Sequence, residues 1–259
     1  MSIIIKKKLP KPYRQEIKVI SWNLDYKNKK TDLKINEIIE KNADILMLQE
    51  CTSNLKKKLV DYINYDTSKG YKGTINLFIH ERLKPVINNI FKDNGLLIYH
   101  LNTKYGEIIV ASIHLPPFNK INDKILRTIS IYKVIDFLKK EKLINLPIII
   151  GGYTNMQDDE HIGNLSEDIL EDLYDNYGDE NNYYTYPNRN NQLLQEKRLD
   201  RFFYSRINIK NFYTWYSMYS KYYMLETNIT FGNILFDSIN TKLEEIKNKN
   251  NENIILVNL

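Results

Sequence analysis

Short runs of β-branched and apolar residues recur along the chain, and several of them stop on a polar side chain: KVISWNLD, ADILMLQE, IIVASIHL and PIIIGGYTN. Runs this short and this rich in isoleucine and valine read as buried strands rather than helices. They cover residues 17–21, 44–49, 74–79, 95–102, 107–114, 147–151 and 199–204, with a further strand near 222–230. Helical periodicity covers 32–41, after Thr31 as a cap, and returns where Ile121, Ile125, Ile129, Tyr132 and Ile135 recur at three- and four-residue steps. A weaker helical pattern covers 165–174. Helices separate some strands while others follow one another directly, which predicts a mixed α/β protein with more than one sheet layer. In such folds rigid strand ends aim polar groups at a common crevice. Asn23, Asp25, Glu50, His114 and Asn155 all lie at strand ends and are candidates for one site.

The rest of the composition bounds the setting. A chain of 259 residues can bury a sizeable core in one large domain or two small ones. The single cysteine, Cys51, excludes an intrachain disulfide and a cysteine-based zinc site. No apolar run approaches the roughly 20 residues of a spanning helix, and the N-terminus lacks the pattern of a signal peptide. The expectation is an intracellular protein, of cytoplasm or nucleus, without a membrane partner. The net charge of +5 is mild, with lysines clustered at Lys6 to Lys8, at Lys27, Lys29 and Lys30, and at Lys56 to Lys58. These are solvated surface or an attraction for nucleic acid. The Asn-rich patches at 188–191 and 248–253 read as loops.

Taken singly, each polar residue has an ordinary explanation. Glu50 is a solvated boundary acid or a metal ligand, His114 an edge histidine, Asn23 a turn residue, and Asp200 a partner for Arg198 or Arg201. Their order is more informative. SWNLD, MLQE, IHL, TNMQD, NYYTY and RLDRFF, in that succession between about residues 17 and 230, resemble the endonuclease/exonuclease/phosphatase superfamily. Within it the series is most similar to the 5′-tyrosyl-DNA phosphodiesterases of type 2. The resemblance implies a deoxyribonuclease I-like four-layer α/β sandwich, two mixed β-sheets flanked by helices. It implies that Glu50 binds Mg2+ with Asp25 and Asn23 beside it, that His114 and Asn155 contact the scissile phosphate, and that Asp200 orients a C-terminal histidine. It leaves 1–16 as a basic N-terminal segment, 17–230 as the domain, and 231–259 as a C-terminal extension with an apolar tip suited to a protein partner.

Three positions depart from the family pattern. Tyr153 stands where the family has the carboxylate that handles the attacking water, and a phenol with a reference pKa near 10 is a donor rather than a base. Asp158 and Asp159 follow in the next turn as possible substitutes. All four histidines, His80, His100, His114 and His161, precede the last third of the chain, so the C-terminal histidine is missing. Ser220-Lys221-Tyr222 aligns with the family's Ser-Asp-His, putting a cation and a phenol where an acid and an imidazole belong. Asp200 is then expected to pair with Lys221 or an arginine. The expectation is a pseudoenzyme that binds nucleic acid, DNA first, or a phosphate, or serves assembly, with Mg2+ weak or absent. The alternatives are a divergent active Mg2+-dependent phosphodiesterase acting on DNA 5′ ends, and a nuclease or phosphatase of another branch.

Overall fold

The structure, a computed structural model, describes residues 16–27, 30–52, 55–117, 121–156, 160, 169–179, 185 and 197–231. Residues 1–15, Lys29, Asp158, Asp159, His161, both Asn-rich patches and 232–259 lie outside the described residues. In chain order the elements are β1 (Ile17–Asn23), α1 (Thr31–Lys41), β2 (Ile45–Cys51), α2 (Leu55–Lys58), β3 (Tyr62–Ile63), β4 (Thr67–Lys69), β5 (Thr74–His80), β6 (Val86–Asp93), β7 (Leu96–Thr103), β8 (Gly106–His114), α3 (Ile121–Lys140), β9 (Ile148–Tyr153), β10 (Glu171–Asp172), α4 (Leu173–Tyr177), β11 (Asp200–Ser205), β12 (Asn208–Trp215) and β13 (Met224–Thr230).

The strands form two mixed sheets. One runs β12-β13-β1-β2-β5-β3 with β4 also on β5, and the other runs β10-β11-β9-β8-β7-β6. In each sheet a single parallel pair, β1 with β2 and β8 with β9, accompanies antiparallel neighbours. Three apolar clusters fill three interlayer spaces. Val19, Met47 and Leu77 meet Tyr99, Val110 and Ile149 between the sheets. Ile35 and Ile38 of α1 cover Trp22 and Leu46 outside the first sheet. Ile131, Val134 and Leu138 of α3 cover Ile98, Ala111 and Ile148 outside the second. Strands buried on both faces explain the near-continuous apolar runs in the sequence. The result is a four-layer sandwich, and no helix among the described residues is long and apolar enough to cross a membrane.

Several local expectations need correction. Thr31 does not cap α1: it is the first helical residue, and Lys30 precedes it without a side-chain cap. The helix instead ends on Asn42, which adopts φ 48° and returns its N–H to Ile39 O, a left-handed stop that asparagine tolerates. In α3 four of the five residues of the stripe that marked the helix face outward, with Ile121 76% and Ile125 51% exposed, and only Ile135 is buried. Burial falls on Ile131, Val134, Ile135 and Leu138, because the sheet selects the face that fits it. Helix does not run through 165–174: residues 165–168 lie outside the described residues, and 171–172 pair as β10. Asp172 then caps α4 by accepting the Tyr174 N–H. The strands β6 and β12 have no counterpart among the sequence-based expectations.

The double glycine of β9 is a packing requirement. A Cβ on Gly151 would lie 2.6–2.8 Å from Phe202 and Met47 between the sheets, and one on Gly152 would lie 2.0 Å from Ile113 O of β8. Gly152→Ala is therefore expected to force β8 and β9 apart and lower stability by about 2–3 kcal/mol, read from urea unfolding. An unchanged midpoint would contradict this packing.

Candidate functional site

Strand register brings the predicted residues together. Parallel pairing sets His114 beside Tyr153, and antiparallel pairing sets Tyr153 beside Asp200. Side chains alternate along a strand, so these three share the face that carries Val110, Ile149 and Phe202 into the inter-sheet core. Opposite them, β1 ends in Asn23 and β2 in Gln49-Glu50. The β2–β5 register shifts between Leu48 and Cys51, and Glu50 has φ 52°. This irregularity turns two successive side chains inward. Gln49 Nε2 donates to Ser112 Oγ at 2.9 Å, while Glu50 Oε1 accepts from Asn23 Nδ2 at 3.2 Å and lies 3.9 Å from His114 Nε2.

The turn after β1 is tied to the same acid. Asn23 Oδ1 accepts the Asp25 N–H at 3.0 Å, and Glu50 Oε2 accepts the Tyr26 N–H at 3.4 Å. Lys34, buried on α1, donates to Leu24 O and to Asp25 O from below. The turn before β13 is pinned alongside. Ser220 Oγ donates to Asn23 O at 2.8 Å and accepts the Tyr222 N–H at 3.2 Å, and Trp22 Nε1 donates to Tyr222 O at 3.2 Å. This brings Lys221 Nζ to 4.0 Å from Asp25 Oδ1. It also sets the Tyr222 ring edge-on against Tyr153 at 4.7 Å, and Tyr153 against His114 at 5.6 Å. The two phenols are also hydrogen-bonded. Asn155, at φ 54°, donates from its backbone to Leu199 O and from Nδ2 to Leu115 O.

Register, ring contacts and hydrogen bonds thus bring Asn23, Asp25, Glu50, His114, Tyr153, Asp200, Lys221 and Tyr222 together, while the Asn155 contacts run to Leu199 O and Leu115 O and Asp200 does not pair as expected. Arg198 and Arg201 both reach Asp172 Oδ2, at 2.8 and 3.0 Å, and Lys221 faces Asp25. Arg201 follows Asp200 on the strand and points to the opposite face, which is why it is no partner. No cation pairs with the Asp200 carboxyl among the described residues. Burial holds its pKa well above the carboxylate range, opposed by the Thr185 hydroxyl and reinforced by the charge of Glu50. Burial therefore favours the protonated form of Asp200. The Tyr222 phenol is likewise pushed up, by burial first and then by Tyr153 and Glu50.

Two lysines at the site escaped the sequence-based reading. Lys72 lies in the β4–β5 turn, and its charge bears on both Glu50 and His114. Its only signal is the bracketing of Tyr71-Lys72 by Gly70 and Gly73, which lie against the site: a Cβ on Gly70 would approach His114 Nδ1 to 2.9 Å, and Gly73 lies against the Glu50 backbone with φ 62°. Lys34 shares the buried face of α1 with Ile35 and Ile38, an odd position for an ammonium, and burial lowers its pKa against the attraction of Asp25 and Glu50. Burial, helped by Lys72, pushes His114 down to about 4, so its imidazole is neutral at neutral pH. Burial raises Glu50, while Asn23, Lys72, Tyr26 and Lys221 oppose the shift.

The oxygen donors of Glu50 and Asp25 are of the kind that Mg2+ takes, one or two carboxylates with several waters. The surrounding charge is not. Two carboxylates meet three ammonium groups, Lys34, Lys72 and Lys221, and the charge of each bears on Glu50. A divalent cation there would face fixed positive charge already in place. The residues do not fit Mg2+ as its resident ion.

No protein-family model matches the sequence, and no curated protein matches it significantly. The likeness to known proteins is one of fold. D. rerio TDP2 complexed with a single-strand DNA product superposes with a TM-score of 0.68 at 17% identity, covering 83% of this chain and 98% of that one. An endonuclease/exonuclease/phosphatase family protein from Bacteroides thetaiotaomicron gives 0.66 at 17% identity, over 84% and 95%. The human Nocturnin catalytic domain with a bound sulfate anion gives 0.66 at 18%, over 84% and 95%. The two mixed sheets therefore form the deoxyribonuclease I-like fold that the motif series implies.

The raised pKa of Asp200 has a testable sign. A carboxyl whose pKa is raised by folding contributes fully below its unfolded value near 4, and that contribution is lost as pH rises through its folded value. Asp200→Asn stays neutral throughout. Its melting temperature is expected to gain on the parent as pH rises above about 4; a parent that gains on the variant would mean an ionised, paired Asp200.

Proposed function

We propose that this deoxyribonuclease I-like chain is a tyrosyl-DNA phosphodiesterase-like protein that has lost hydrolysis and binds a phosphate-bearing nucleic acid, DNA first among them. The observation that carries the reading is the contact of Tyr153 with Tyr222 between His114 and the buried Asp200. Hydrolysis of a phosphodiester needs the attacking water deprotonated or strongly oriented, and the developing charge met by donors and cations. At the position where the resemblance calls for a water-handling carboxylate stands a phenol. At the position of the orienting pair stand a second phenol, with its pKa raised, and a buried acid whose pKa is also raised. Loss of one general base lowers the rate by roughly 10^2 to 10^4, and losses within one unit do not add.

Binding functions survive these changes. His114 and Asn155 keep the strand-end positions that the resemblance associates with the scissile phosphate, Glu50 and Asn23 those it associates with the metal, and Lys72 and Lys221 add positive charge. The single-strand DNA product held by D. rerio TDP2 supports nucleic acid as the ligand class, and the sulfate bound by the human Nocturnin catalytic domain supports an anionic ligand. A protein partner through 232–259 belongs to the same reading. The intact cluster of Asn23, Glu50 and His114 also favours one alternative, a divergent active Mg2+-dependent phosphodiesterase that draws its base from Asp158 or Asp159.

Incubation of the full chain with Mg2+ and a 5′-phosphotyrosyl oligonucleotide separates the two. The expected result is no release of tyrosine above the level of Glu50→Ala. Turnover that disappears in Glu50→Ala would contradict the loss of hydrolysis and favour the alternative.

A further inference from the structure

We infer that the ammonium groups of Lys72 and Lys221 take the place of a divalent cation, so that this site binds a terminal phosphate monoester of a single-stranded nucleic acid without metal. The inference rests on the phosphate-binding reading above and adds to it the source of the positive charge.

The geometry supports the exchange from two sides of the crevice. Lys221 enters on the turn before β13, held by Ser220 on Asn23 O and by Tyr222 O on Trp22. Its side chain is 35% exposed, and 4.0 Å to Asp25 Oδ1 is beyond the 2.7–2.9 Å of a charge-assisted hydrogen bond. The carboxylate orients the ammonium without consuming its donors. Lys72 enters from the opposite side, on the turn that Gly70 and Gly73 close against His114 and Glu50. It is exposed and makes no hydrogen bond or salt bridge among the described residues. An ammonium is a compact point charge that serves a phosphate from any direction.

Between the two cations sit groups suited to an anion rather than a metal. His114 is 1% exposed, and its Nδ1 has no partner among the described residues. An imidazole keeps at least one N–H to donate in either charge state. Glu50 is already engaged by two N–H groups, Asn23 Nδ2 and the Tyr26 backbone. The carboxylates of this site therefore hold donors in place, and the ammonium groups remain for the ligand. A phosphate monoester carries up to two negative charges and three terminal oxygens, enough to meet both lysines at once.

The test uses the full chain and fluorescence anisotropy with a 5′-phosphorylated single-stranded oligonucleotide and its 5′-hydroxyl counterpart, in excess EDTA and in excess Mg2+. The phosphorylated strand is expected to bind more tightly, with a Kd that agrees within about twofold in the two conditions. Lys72→Met and Lys221→Met are each expected to weaken it about tenfold and to reduce the slope of log K against log salt by about 0.7, with unchanged melting temperatures. Glu50→Gln should bind as well or better, since it removes a negative charge. Affinity that rises tenfold or more with Mg2+ and falls in Glu50→Gln would overturn the inference while leaving phosphate binding intact. Equal affinity for the two oligonucleotides would overturn it and leave only general nucleic-acid binding. If neither strand binds in any condition, the inference and the reading beneath it both fail.

Discussion

The site depends on one register. Parallel pairing of β8 with β9 and antiparallel pairing of β9 with β11 lock His114, Tyr153 and Asp200 into a row facing the other sheet. The two glycines of β9 permit that register, since a side chain at either would meet β8, β11 or the facing Met47. The opposite wall depends on one irregularity, the left-handed Glu50 that ends β2 and points inward beside Gln49. A non-glycine residue with φ near +50° is uncommon and is kept where surroundings over-determine it. Here Asn23, Tyr26 and His114 surround it, and Asp25 and Asn155 adopt the same region at the rim.

Within this frame the chemistry has changed sign. A hydrolytic site would gather negative charge to hold a metal and to activate water. This one keeps Glu50 and Asp25 but surrounds them with Lys34, Lys72 and Lys221, raises the pKa of Asp200 by burial, and sets two phenols against each other beside His114 and Asp200. The changes are mutually consistent. Tyr222 packs on Tyr153, and their apolar bodies form a small cluster with Leu199, the residue before Asp200. Burial is the main cause of the raised acid.

Much of this was legible because strand ends carry their signal locally. Asn23, Glu50, His114 and Asn155 each close an apolar run, and the frame of both sheets follows from those runs. The edge strands β6 and β12 were not legible, since VINNIFKD and NIKNFYTW mix polar residues as solvent-facing edges do. Lys72 was invisible because it lies in a turn far in sequence from Glu50 and His114 and comes to them only through β4–β5 pairing. The partner of Asp200 was misjudged for a similar reason: proximity in sequence favoured its arginines, whereas strand alternation sends Arg201 to Asp172 on the other face.

A crystal structure of the full chain grown with Mn2+ and a 5′-phosphorylated dinucleotide tests the central claim most directly, because anomalous scattering locates the metal and electron density the phosphate. The account predicts a phosphate held between Lys72 and Lys221, no metal at Glu50, and no water held between Tyr153 and an acid. A manganese ion on Glu50 bridging to the phosphate, with a carboxylate-held water in line behind it, would contradict the account.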